Sequence, residues 1–286
     1  MPSNRTPRLS SVCGRVLAAA LLAAAVSASS PAGADGKLDA RYAVTVTGIN
    51  IGNVEWTVDI GSQNYISAAS GRASGPLSAV VSGEGVVAAR GAIKYGRLSP
   101  ETFSSSIVHD DNNKSETKMV LDHGDVKTIE GEADKDPSDR LPLTVAHKQG
   151  VIDPASALLI PMPGAVATVT KDACKRTLPI FDGRRRYDVA LTFKRMDQIK
   201  AEKGYAGPVA VCSVVFRPQA GHHAASRLVK YLTAGHDIEM WFAPVSGAHV
   251  LAPIRASVAS MFGSLVIEAK QFDVATQTAA VAPAKR

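Results

Sequence analysis

Three sets of residues have types that could do chemistry. Cys174 and Cys212 are the cysteines left once Cys13, close to the N-terminus, is set aside. A thiol pair can form a disulfide, hold a metal or cycle redox equivalents; this wide spacing lacks the Cys-x-x-Cys form that favours the last two. In an oxidising compartment the expected outcome is a bridge, which would restrict the unfolded chain by roughly 3–4 kcal/mol in the entropy model. Arg184, Arg185 and Arg186 follow Gly183. Guanidinium forks bind carboxylates and phosphates bidentately, so these three are candidate anion-binding residues. On a strand, however, Arg184 and Arg186 take one face and Arg185 the other, and pairing with Asp182 or Asp188 is the competing reading. Trp56 and Trp241 are candidate cavity aromatics, able to stack on a sugar or line an acyl cavity, or equally to pack in a core.

Other polar groups carry weaker signals. His222, His223, His236, Asp237 and His249 cluster late in the chain, but a zinc site needs three or four converging ligands and neighbouring histidines diverge on either a strand or a helix. Surface or loop positions are expected for them, and His109-Asp110-Asp111 reads as the end of a turn. There is no Gly-x-Ser-x-Gly elbow and no glycine-rich phosphate loop after a strand. Glu130 and Glu132 lie in a charged loop and read as solubilising. No catalytic residue, metal ligand or cofactor is therefore assigned.

The elements that must position these residues read as strands. Tyr42, Val44 and Val46, then Val54, Trp56, Val58 and Ile60, alternate with polar neighbours on either side of Gly48-Ile-Asn-Ile-Gly52, which predicts a hairpin turning over those five residues. Tyr65–Ser70, Val86–Ile93, Glu101–Val108, Glu116–Leu121 and Val126–Glu130 continue the pattern, the last two joined by Asp122-His-Gly-Asp125. Tyr187, Val189, Leu191 and Phe193 share one face of a later strand. Cys212, Val214 and Phe216 share one face of the strand that returns after the polar turn Glu202–Pro208. Three more strands carry Ile238 to Phe242, Ile254 to Val258 and Leu265 to Ala269, with Met261-Phe-Gly263 as the last turn. Gly71–Gly85 is either a short helix or a flap. Asp153-Pro154 has the form of an N-cap and first-turn proline, predicting a main helix that packs Leu158 and Leu159 onto the sheet. A second short helix is expected within His222–Thr233.

The N-terminus reads as an export signal. Arg5, Arg8 and Arg15 precede an apolar run from Val16 to Val26 and the small residues Ala32-Gly-Ala34, the pattern of a cleavable signal with cleavage after Ala34. The run falls short of the ~20 apolar residues that span a bilayer; a retained anchor is the alternative. Removing residues 1–34 takes away three arginines and no acid, lowering the formal net charge of +6 by three. That balance does not suit a nucleic-acid-binding protein. The expected organisation is a signal over 1–34, one curled antiparallel β domain over 35–274, and a disordered tail over 275–286. Strand after strand with one apolar face implies a mainly β fold: a single curled antiparallel sheet, spiral or open barrel, with one or two short helices.

Four segments together resemble a known family: the Tyr42…Gly48-Ile-x-Ile-Gly52 hairpin, Asp153-Pro154-x-Ser-Ala-Leu-Leu159, Phe181-Asp-Gly-Arg-Arg-Arg-Tyr187 after Cys174, and Ala243-Pro-Val…Pro253-Ile-Arg255. They are similar to the bacterial periplasmic family catalogued as domain of unknown function 3108. The resemblance implies an exported all-β protein whose curled sheet is similar to β-spiral envelope proteins and, more distantly, to lipoprotein carriers. It implies no reaction. The expectation is a periplasmic, non-enzymatic binding protein in cell-envelope maintenance, using the concave face of its sheet on a lipid, lipoprotein or cell-wall component. It would have no nucleic-acid partner and no stable membrane insertion after signal cleavage. An envelope hydrolase and a structural adaptor are the alternatives.

Overall fold

The computed structural model describes residues 35–74, 83–94, 96–108, 114–131, 139–163, 168–260 and 263–277. The expected signal, His109–Asp111, Glu132, the middle of Gly71–Gly85 and the tail from residue 278 lie outside them. The first seven strands are β1 (Asp35–Val46), β2 (Ile49–Ile60), β3 (Asn64–Ala73), β4 (Glu84–Lys94), β5 (Arg97–Val108), β6 (Lys114–Asp122) and β7 (Asp125–Gly131). Then come β8 (Ile160–Pro161), β9 (Arg176–Phe181), β10 (Arg186–Lys200), β11 (Lys203–Gly204), β12 (Ala206–Ala220), β13 (Ile238–Val245), β14 (Val250–Ser260) and β15 (Gly263–Gln277). Strands β1 and β2 meet through two residues, Thr47 and Gly48, both at positive φ (50° and 83°). The expected five-residue turn is therefore a tight hairpin loop, whose twist suits the flanking strands. Residues Ala275–Gln277, expected in the tail, extend β15 and pair with Lys37, Gly36 and Asp35 of β1.

All fifteen strands belong to one sheet, ordered β7-β6-β5-β4-β3-β2-β1-β15-β14-β13-β12-β10-β9, with β8 on β14 and β11 on β15. Every pairing among the named strands is antiparallel except the short β11–β15 contact. The sheet curls, and two non-ladder contacts hold the curl. The tip of the β10–β12 hairpin reaches β15, where Tyr205 N–H donates to Phe272 O at 2.9 Å. At the other end the segment from Gly150 to Asp153 clasps both margins of the sheet. Val151 N–H donates to Gly124 O in the β6–β7 turn (2.8 Å), Ile152 N–H donates to Pro179 O of β9 (2.9 Å), and Phe181 N–H returns to Ile152 O (3.0 Å).

The curl is filled by side chains of its own. Leu38, Tyr42, Trp56, Val58, Ile60, Tyr65, Val209, Val211, Trp241, Ile254 and Phe272 belong to one buried apolar cluster inside it. Ala89, Phe103, Met119, Leu121, Val151 and Phe181 form another beneath the clasp. A third lies on the opposite face of β12–β14, where Cys212, Val214, Phe242 and Leu251 are covered by Ile160, Met162, Ala173 and Cys174. Consequently Val209 to Cys212 are buried without a break, where one-sided alternation had been expected. Strands covered on both faces lose the polar alternate.

The main-helix expectation needs correction, whereas the short helix expected within His222–Thr233 forms. Asp153-Pro154 opens a single 3-10 turn, Ser156–Leu158, and not a main helix. Leu159 is nevertheless buried, so the packing role holds without the helix. The α-helix among the described residues is α1 (Arg227–Thr233), capped by the Ser226 hydroxyl accepting from Val229 N–H. It buries none of its residues, and Leu228 is 63% exposed.

Candidate functional site

The expected disulfide is present: Cys174 and Cys212 are joined, with Cα atoms 5.4 Å apart. Both are fully buried. Cys174 ends the 3-10 turn Lys171–Cys174, so the bridge ties the covering layer to the outer face of β12. The faces of β10 and β12 also match their alternation, since Tyr187, Val189, Leu191 and Phe193 stand opposite Pro218, Phe216, Val214 and Cys212.

Arg184 and Arg185 lie in the tight turn before β10, and Arg186 is the first residue of that strand. Asp182 Oδ1 accepts from Arg184 N–H and Arg185 N–H, fixing the turn, and Gly183 sits at φ +95°. A Cβ at Gly183 would lie 2.3 Å from Thr117 Cγ2 of β6, so glycine alone lets the turn settle there. The guanidinium of Arg184 donates to Glu116 O (3.3 Å), that of Arg185 lies 3.8 Å from Asp182, and that of Arg186 binds Asp188 at 2.6 Å. Each arginine is thus used locally or in joining the turn to β6.

Both tryptophans are interior. Trp56 is buried and donates its indole N–H to Ser67 Oγ (2.9 Å). Trp241 is buried, donates to Asp197 Oδ2 (3.2 Å), and has the guanidinium carbons of Arg195 and Arg255 at 5.5 and 5.0 Å from its ring centre. Cation–π attraction and packing fix this ring. Nearby, Glu239 binds Arg195 in a two-point pair and also Lys194, and the Arg195 hydrogen bonds draw its pKa down to about 2.

The histidines separate. His222, expected at the surface, is buried; its Nε2 lies 3.3 Å from Arg186 O and its ring meets Phe216 and Tyr187 edge-on. Burial holds its pKa below the usual histidine value. His236 stacks on Tyr231 at 4.1 Å, His223 lies 3.7 Å from Asp139, and His249 is exposed. Among the described residues no three His, Cys, Asp or Glu side chains converge as metal ligands would.

Two features were not visible in the chain's spelling. The first is a polar seam between the apolar clusters. Asp153 is fully buried, with Oδ1 accepting from Ala155 and Ser156 N–H groups (3.0 and 2.9 Å), while the Ser156 hydroxyl meets Tyr65 OH at 2.7 Å. Asp153 Oδ2 is buried with no partner, and desolvation raises the carboxyl pKa. The second is a trough of about 660 Å³ lined by Asn53, Glu55, Ser70, Arg72, Val86 and Lys114, with Ser74, Glu84, Ser106, Val108, Gly71 and Gly85 completing it. Its strand residues other than the glycines alternate with inward-facing Trp56, Val54, Ala69 and Val87, so the trough crosses β2–β6 on the outer face, away from the filled concave side. In the ladder Glu55, Ser70, Val86 and Ser106 form one cross-strand row, and Asn53, Arg72, Glu84, Val108 and Lys114 the next. Runs of small and polar outward positions over successive strands were the available signal.

A family model matches residues 41–270, under the description "Protein of unknown function (DUF3108)". The chain belongs to this family. No curated protein matches its sequence significantly. Among solved structures it is similar to a beta-barrel-like protein of domain of unknown function DUF1849 from Brucella abortus, at 7% identity and TM-score 0.46, over 85% of this chain and 98% of that one. No helix among the described residues of this DUF3108 member is long and apolar enough to cross a membrane, which says nothing about spanning by strands.

Proposed function

We propose that the chain is an exported, periplasmic binding protein of the cell envelope that acts by recognition and not by turnover. The observation that carries this reading is the fully buried Cys174–Cys212 bridge, which belongs to chains that mature in oxidising compartments. The charged, apolar and small-residue order of residues 1–34 agrees with it. Binding through the concave face, as expected from the sequence, is disfavoured because Trp56, Val58, Val211, Trp241 and Phe272 fill that face. The outer trough over β2–β6 is the better-placed surface, because its polar side chains are open to solvent.

The test is recovery of the mature protein from the envelope of its own host, followed by native mass spectrometry and N-terminal sequencing. The reading expects a chain beginning at Asp35, oxidised at both cysteines, carrying a ligand or partner. An empty, partnerless monomer, or a reduced chain in the cytoplasm, would contradict it. Turnover of cell-wall or lipid substrates lost on His236→Ala would replace it with the hydrolase alternative. A structural adaptor is favoured by one observation: Lys127 to Gly131 of β7 are exposed at the margin of the sheet, where a partner strand could add.

A further inference from the structure

The trough has a charge order that narrows what it can hold. Glu55 on β2, Arg72 on β3, Glu84 on β4 and Lys114 on β6 alternate in sign across it. Their present partners are exposed and exchangeable: Arg41 lies 3.6 Å from Glu55, Arg72 lies 3.7 Å from Glu84, and Lys114 binds Glu116 at 2.6 Å. Such surface pairs are worth about 0–1 kcal/mol each, so an incoming ion of either sign can replace a partner at small cost. A ligand of one sign meets repulsion from two of the four charges wherever it lies, whereas one carrying both signs can match them. Between the charges, the Ser70 and Ser106 hydroxyls bond no other protein group among the described residues. Val86, 55% exposed, and Val108 supply the apolar contacts.

Dimensions agree with a short chain. Four strand spacings of ~4.8 Å make the trough roughly 19 Å long, the reach of about six extended residues. The floor of Gly71, Gly85, Ser70 and Ser106 leaves room for a backbone to approach. We infer that the trough binds a short extended peptide that carries both ammonium and carboxylate groups, laid across strands β2–β6. This rests on the binding-protein reading and adds its site and ligand class.

Isothermal titration of the oxidised full-length protein with the tetrapeptide Ala-Glu-Lys-Ala tests it, with C-terminally amidated tri-lysine, N-acetylated tri-glutamate whose charges are all negative, and maltotriose as comparison ligands. Saturable binding of the tetrapeptide is expected, at least tenfold tighter than any comparison ligand. Arg72→Glu and Glu84→Lys should each weaken it about tenfold, and Ser106→Trp, which fills the floor, should abolish it. Because all three positions are on the outer face, unchanged far-UV circular dichroism and an unchanged thermal midpoint are expected; Arg72→Ala gives a second, milder variant for the same reading. Absence of binding at millimolar peptide, equal binding of tri-lysine or tri-glutamate, or Ser106→Trp within twofold of wild type would each overturn the inference. An envelope-derived ligand that still binds the Ser106→Trp variant would overturn this site alone and leave the binding-protein reading standing. Failure to recover any ligand or partner from the envelope would remove both.

Discussion

Asp153 is the residue whose surroundings are least ordinary, a fully buried carboxyl with one oxygen capping a turn and the other unpartnered. Its folded-state pKa lies above the unfolded value, so the stability it can contribute is complete below about 3.9 and is lost as pH rises through the folded value. At neutral pH the ionised form therefore works against folding. Asp153→Asn keeps an oxygen acceptor for Ala155 and Ser156 and removes the charge, so it should be at least as stable as wild type at pH 7, with that advantage shrinking toward pH 4. Asp153→Ala loses the cap and should cost about 1–2 kcal/mol. Urea midpoints across pH check both, and an Asn variant parallel to wild type at every pH would refute the account of this group. Glu239 has the opposite sign. Its pKa is drawn down to about 2, chiefly by Arg195 and then by Lys194, so its stabilisation is present above the usual glutamate value and is lost as pH falls toward 2. Glu239→Gln should be less stable than wild type at pH 7 and converge on it near pH 2; a constant difference would contradict the pairing.

At the scale of elements, the decisive contacts are those outside the strand ladders. Gly183 lets the Asp182–Arg186 turn rest against Thr117, and its φ of +95° is one that L side chains rarely adopt. Gly183→Val should therefore destabilise by more than the roughly 1 kcal/mol expected of a positive-φ glycine alone, measured by denaturant unfolding. Faster exchange of the Phe181 and Ile152 amides would accompany it if the turn supports the neighbouring clasp. The strands themselves were legible, because alternation in Val54-Trp56-Val58-Ile60 or Tyr187 to Phe193 reports one buried face. What alternation could not report is that Val209 to Cys212 are covered twice, since a continuous apolar run fits several environments. Asp153-Pro154 has the form of a helix start, yet Pro161 follows on β8 and the clasp holds Val151 and Ile152 extended, so tertiary contacts stop the turn at Leu158. His222 was misplaced for a related reason: its burial arises from Tyr187 and Phe216, which are distant in sequence. The outer trough leaves only a faint trace in the sequence, its small and polar outward positions, because its walls come from five strands.

For the whole molecule, the bridge and the filled curl belong together. The disulfide ties the outer covering layer to β12, while the clasp and the β11–β15 contact hold the sheet closed around its own apolar residues. Reduction should cost roughly 3–4 kcal/mol, lowering Tm on the order of 10 °C, and Cys174→Ser should match Cys212→Ser in a thermal melt. Unequal effects would mean that one thiol has a separate role. The central claim is that the concave face is the protein's core, so that the binding proposed above would take place outside it. The chain has two tryptophans, Trp56 and Trp241, and both lie in that core. Acrylamide quenching of their fluorescence in the native oxidised protein tests the claim most directly. Weak quenching that does not change when a soluble fatty acid is added is predicted; quenching close to that of free tryptophan, or altered by the lipid, would show an open hollow and contradict it.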